Sequence, residues 1–207
     1  MPMQIAEIEN KTLLEARPKP SSDALADEAI LIKEAKTGNA EAFGRLYLMH
    51  LDAIYRYIYF RVADARDAED MTEQVFLKAW QALPGYKQRG KPFTSWLYRI
   101  AHNTVVDHHR RRQAAPSLPL SENVEWHTSK DPSALQQIIR AEEMQTLAWA
   151  ISQLSEEQQQ VIILRFIEDL SHAEVADIMD KSEGACRVIQ HRALTALNQL
   201  LTGARGK

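Results

Sequence analysis

At 207 residues the chain is long enough for one large domain or two small ones, each able to bury a core of its own. Its 45% hydrophobic and 26% charged residues exclude wholesale disorder, and its single cysteine, Cys186, excludes an intrachain disulfide or a zinc-finger framework. The formal net charge of −3 argues against a nucleic-acid binder only until its distribution is read. No Asp or Glu follows Glu183, whereas Arg187, Arg192, Arg205 and Lys207 do; a second basic cluster is Arg110, Arg111 and Arg112; acid gathers at Asp64, Asp67, Glu69 and Asp70.

In chain order, residues 1–26 mix both charge signs with Pro18 and Pro20 and lack an apolar signal core, so an extension without stable structure is expected there. An amphipathic run over 27–37 ends at Gly38, a residue suited to a helix C′ position. Asn39 is placed to cap a long helix over 40–62, with Phe43, Leu46, Tyr47, Ile54 and Ile58 as its apolar stripe. The stretch 54–60 is no membrane span, because Arg56 interrupts it and Asp52 and Arg61 flank it; a cytoplasmic protein is expected. A third helix is expected to open at Asp67, lined by Met71, Val75, Phe76, Ala79 and Trp80, and to stop at Pro84 and Gly85. After the polar loop 85–92 comes a fourth helix over 94–111, with Trp96, Leu97, Ile100 and Ala101 facing inward.

Periodicity then lapses over 113–131, where Pro116 and Pro119 mark a flexible interdomain linker. Asp131 and Pro132 form a helix start, leading to a helix that reaches about residue 154. Ser155 with Gln158, and Ser171 with Glu174, have capping-box spacing. A turn at 181–184 precedes the last helix, 183–201, with Cys186, Leu194, Leu197 and Leu200 expected to face inward. The class is therefore all-α: two small helical domains joined by a flexible linker.

The short helix at 171–179, the turn and the longer basic helix make a helix-turn-helix pattern. Val175 and Met179 would pack on Cys186 and Leu194, leaving Arg187, Gln190, His191 and Arg192 on or near the outer face, suited to bases and phosphates of a major groove. An ordinary αα-hairpin with solvated arginines fits the same pattern. His102, His108 and His109 lack the Cys or carboxylate partners of a metal site. No nucleophile–base pair or P-loop is present, so neither an enzyme nor a cofactor is expected.

Three segments go beyond pattern: DAEDMTEQVFLKAW at 67–80, FTSWLYRIAHNTVVDHHRRR at 93–112, and LSEEQQQVIILRFIEDLSHAEVADIMDKSEGACRVIQHRALTAL from Leu154. In this order and spacing they resemble the sigma-70 family, and specifically the small extracytoplasmic function (ECF) sigma factors, which keep only regions 2 and 4. The resemblance spans about residues 27–201. It implies region 2 over 27–112, the linker over 113–131 and region 4 over 132–203. It also implies the partners: core RNA polymerase through its β′ clamp helices and β subunit, promoter DNA, and an anti-sigma factor, with no membrane insertion.

The resemblance assigns polymerase contact to Asp67, Glu69, Asp70, Glu73 and Gln74, acids that would suit a basic coiled coil. It assigns the −10 element to Lys87, Arg89, Lys91, Arg99, Asn103, Arg110, Arg111 and Arg112, with Asn103 near a captured unpaired base and the cations on phosphates. It assigns the −35 element to Ser182, Arg187, Val188, His191 and Arg192. Two departures stand out. Ala185 and Val188 lack hydroxyls common in the family, so the −35 preference is expected to be weaker or unusual, and Glu73-Gln74 inverts the common order. The rival reading is a stand-alone helix-turn-helix regulator, which leaves 67–112 without a task.

Overall fold

The computed structural model describes residues 22–87, 90–114 and 132–204. Among these every regular element is helical. Residues 1–21 of the expected extension 1–26, residues 115–131 of the expected linker 113–131 including Trp126 and the capping residue Asp131, and Arg89 lie outside the described residues, while 113–114 belong to a helix rather than to the linker.

The first bundle is built from α1 (Ser22–Lys36), α2 (Ala40–Val62), α3 (Ala65–Ala82), a 3-10 turn at Leu83–Gly85, and α4 (Phe93–Ala114). Helix α1 begins five residues earlier than its apolar run implied; Ala24, Leu25 and Ala26 are strong helix formers. Asn39 caps α2 as expected, its side chain accepting from the N–H groups of Glu41 and Ala42. The helix starting at Asp67 is corrected by two residues. Asp64 is the cap, taking the N–H of Asp67 at 2.9 Å, so Asp67 sits in the first turn of α3. Leu46, Ile54, Ile58, Val75 and Leu97 are fully or almost fully buried where α2, α3 and α4 meet. On α4, Leu97 and Ala101 form the buried face, while Trp96 and Ile100 are half-buried, Trp96 packing on Tyr86 and Phe93.

The second bundle comprises α5 (Pro132–Ser152), α6 (Glu156–Ile162), α7 (His172–Met179) and α8 (Glu183–Ala204). Both expected capping boxes form: Ser155 N–H donates to Gln158 Oε1 at 3.1 Å, and Ser171 N–H donates to Glu174 Oε2 at 2.7 Å. Helix α6 widens into a π turn at Ile163–Ile167, closed by Glu168 N–H on the carbonyl of Ile163. Single π turns are uncommon and cluster at functional places. This one delivers Glu168.

One inward-facing residue on α8 is corrected. Leu194 is exposed, whereas Ala193 is completely buried beside Cys186 and the half-buried Leu197 and Leu200. The inward stripe therefore runs 186, 193, 197, 200. Ala193 lets α8 approach its neighbours closely, and Leu194 falls about 100° further round the helix.

The two bundles also touch. Helix α2 packs on α5, α4 on α7, and α2 on the π turn. Met144, Ala148 and Ile151 of α5 join one continuous apolar cluster with the first bundle. This contact governs the site described next.

Candidate nucleic-acid and protein interfaces

The acidic residues of α3 fall into two sets. Asp70, Glu73 and Gln74 are exposed, three and four residues apart, and so share one outward stripe with Leu77, 58% exposed. Beside them Phe43, Phe76, Leu77 and Trp80 line a shallow apolar groove of about 240 Å³. Acid next to an apolar groove suits a helical partner with basic and apolar residues. Asp67 lies elsewhere. Its carboxylate meets Arg112 at 3.1 Å and His108 at 3.5 Å, tying the start of α3 to the end of α4. Two residues expected on different surfaces are thus partners of each other. Glu69 is half-buried.

The basic residues around α4 separate similarly. Lys87, Arg110 and Arg111 are exposed, Arg110 pairing with Asp107 at 3.0 Å one turn back. Such exposed pairs contribute about 0–1 kcal/mol and do not hold an arginine away from a phosphate. Lys91 and Arg99 instead meet the second bundle: Lys91 Nζ lies 3.0 Å from Asp177 Oδ1, and Arg99 donates to the Asp177 carbonyl at 2.7 Å. Exposed Asn103 lines, with Lys91, Arg99 and His102, a cleft of about 580 Å³ whose far wall is Gln160, Met179 and Asp180.

A buried polar node that the sequence did not reveal joins the two bundles. Arg56 of α2 grips Glu168 with two hydrogen bonds of 2.9 Å, and Tyr98 donates to the same carboxylate at 3.0 Å. The Arg56 and Glu168 side chains are 5% and 1% exposed. A second node joins Arg61, His102 and Glu156. Arg61 Nη1 donates to His102 Nδ1 at 2.9 Å and to Tyr57 Oη at 3.0 Å. Arginine can only donate, so Nδ1 accepts and the imidazole proton sits on Nε2, 3.3 Å from Glu156 Oε1. Burial, then Arg61, hold the His102 pKa below its ordinary value, against the pull of Glu156. His109 is lowered as well, by burial and then Arg61 and His108.

The helix-turn-helix presents its expected residues outward. Ser182, Arg187, Val188, His191 and Arg192 on or before α8 are all exposed. Ser182 Oγ accepts from Ala185 N–H at 3.2 Å, capping the helix that carries the others. Gln190 is turned partly inward, bonded to His172 at 3.0 Å. Val188 is 51% exposed and presents its methyl groups to solvent. Cys186 is buried, and burial pushes its thiol pKa up, which suppresses the reactive thiolate.

Among the described residues no helix is long and apolar enough to cross a membrane. Residues 46–115 match the family model of sigma-70 region 2, and residues 150–199 match that of sigma-70, region 4. The chain is 37% identical over 188 residues to the ECF RNA polymerase sigma factor BldN of Streptomyces coelicolor, covering 89% of this chain and 69% of BldN. It is 32% identical over 181 residues to the ECF RNA polymerase sigma factor SigD of Mycobacterium tuberculosis, covering 84% of each. Among solved structures it resembles CnrH in complex with the cytosolic domain of CnrY, with a TM-score of 0.65 and 26% identity over 86% of this chain and 98% of that one. The fold is also that of RpoE bound to the anti-sigma factor NepR from Bartonella quintana, with a TM-score of 0.59, 21% identity and coverage of 79% and 98%.

Proposed function

The chain belongs to the sigma-70 family as an ECF RNA polymerase sigma factor, and from that premise we propose how its surfaces divide the work. Residues 27–112 act as region 2, 132–203 as region 4, and 113–131 connect them. Asp70, Glu73 and Gln74, with Leu77 and the neighbouring groove, take the clamp helices of the polymerase β′ subunit; Asp67 and Glu69, in the first turns of the same helix, act with them, Asp67 by way of its tie to Arg112. Lys87, Arg89, Lys91, Arg99, Asn103 and Arg110 to Arg112 hold the melted −10 strand, the cations on phosphates and Asn103 against an unstacked base. Ser182, Arg187, Val188, His191 and Arg192 enter the −35 major groove. The factor works in the cytoplasm without catalysing a reaction itself, and an anti-sigma factor restrains it.

The observation that carries this reading is the pair of segments matching regions 2 and 4, in that order, on two packed helical bundles. A stand-alone regulator would use α7 and α8 and leave the region 2 match unexplained. The exposed acid stripe offers a direct test. Asp70→Lys is expected to weaken association with core RNA polymerase at least tenfold, a change of about 1.4 kcal/mol. Fluorescence titration of labelled chain with core enzyme measures it, while far-ultraviolet circular dichroism checks that the fold persists. Unchanged affinity with an intact fold would remove this surface from the polymerase interface.

A further inference from the structure

Lys36, the last residue of α1, is half-buried and reaches far along the chain. Its Nζ donates to the backbone carbonyl of Tyr86 at 2.6 Å, across 50 positions. That carbonyl stands just past the 3-10 turn Leu83–Gly85 that follows α3, and α1 packs on this turn. An ammonium donor at the carbonyl end of a helix makes a charge-assisted bond and meets the negative end of the helix dipole.

Further contacts hold the same place. The Tyr86 ring is buried, its centroid 4.8 Å from that of Trp96 and 5.4 Å from that of Phe93. Phe93 opens α4 and meets the ring of His50 at 5.5 Å. His50 Nε2 in turn lies 2.7 Å from Oε1 of Glu28, again on α1. Burial first, and the charge of Glu28 second, raise the Tyr86 pKa. Helix α1 therefore braces the chain at two points: at Tyr86 directly through Lys36, and at Phe93 through Glu28 and His50. The residue after Tyr86 is the exposed Lys87.

We propose that Lys36 is a positioning residue for promoter binding: by holding the Tyr86 carbonyl it sets the adjoining Lys87 against a phosphate of the melted −10 strand. The proposal rests on the assignment of Lys87 to that strand. Phosphate contacts fix the register of a strand on its protein. A lysine on a loosened backbone must first be ordered at the moment of binding, whereas one on a braced backbone is ordered already by the fold. Each phosphate contact on a single strand contributes about 0.7 to the slope of log affinity against log salt, so a lost contact is countable.

The test uses the full-length chain assembled with core RNA polymerase. Its probe is fluorescein-labelled promoter DNA, taken upstream of transcripts induced by overexpressing the factor and mismatched through the −10 region so that it is already melted. Fluorescence anisotropy between about 50 and 200 mM salt measures the slope. Lys36→Met keeps an unbranched side chain and removes the donor. It is expected to lower the slope by about 0.7, and Lys87→Ala by the same amount. The double variant should show no further fall, because Lys36 acts only through Lys87. A parent-like slope in Lys36→Met beside a lowered slope in Lys87→Ala would overturn the proposal and leave the assignment of Lys87 intact. A double variant lower than either single one would overturn it too, by showing that Lys36 touches DNA itself. So would a loss of core association in Lys36→Met by fluorescence titration, since the residue would then hold the whole bundle. If Lys87→Ala matches the parent, the assignment of Lys87 to the melted strand fails, and the proposal with it.

Discussion

Buried charge distinguishes this molecule at the scale of single residues. Arg56 and Arg61 lie on the otherwise apolar side of α2, and both are buried. In the sequence they served only to rule out a membrane span, because a residue pattern shows that an arginine interrupts a stripe but not what neutralises it. The partner of Arg56 is 112 positions away. By contrast, the outward placement of Arg187, His191 and Arg192 was legible, since a helical period alone sets which side they share. The nodes make a pH prediction. His102 and His109 have pKa values lowered from the ordinary 6.5, so below that pH the unfolded chain binds protons that the folded chain refuses. Their contribution therefore disfavours the fold progressively as pH falls through 6.5 and is absent well above it. The urea midpoint should drop between about pH 7.5 and about pH 5.5, and less so in His102→Gln, which can still accept from Arg61 and donate to Glu156. An identical drop in that variant would show that His102 does not titrate as described.

At the scale of elements, local chemistry was the legible part. Both capping boxes and the Asn39 cap stand where their spacing put them, because a cap is made within four residues and needs no tertiary information. The start of α3 was placed two residues late, at Asp67, because the cap is Asp64, further from the apolar run. The π turn at Ile163–Ile167 had no sequence signature, since its i→i+5 bond is set by packing. Leu194 was misplaced for a related reason: Ala193 looks neutral in a pattern but is the residue that permits close helix approach. The capping box of α7 can be weighed directly. Ser171→Ala removes a bond to Glu174 N–H and should lower stability by about 1 kcal/mol in urea titration. A loss below a few tenths would mean that water replaces the cap.

Over the whole molecule the sequence separated two helical units correctly and was silent on their contact. Nothing in 113–131 indicates whether the bundles on either side meet, since a linker's composition sets its reach and not its end-points. The structure joins α2 to α5 and α4 to α7 around two ion-paired nodes, which sets Lys91 and Arg99 against Asp177 of α7. The division of labour itself is open to one decisive assay. Promoter DNA taken upstream of the transcripts induced by overexpressing the factor is incubated with purified core RNA polymerase, nucleotides and the full-length chain. A run-off product of defined length that appears only when the chain is added is the predicted result; no promoter-dependent product above that of core enzyme alone would contradict the account.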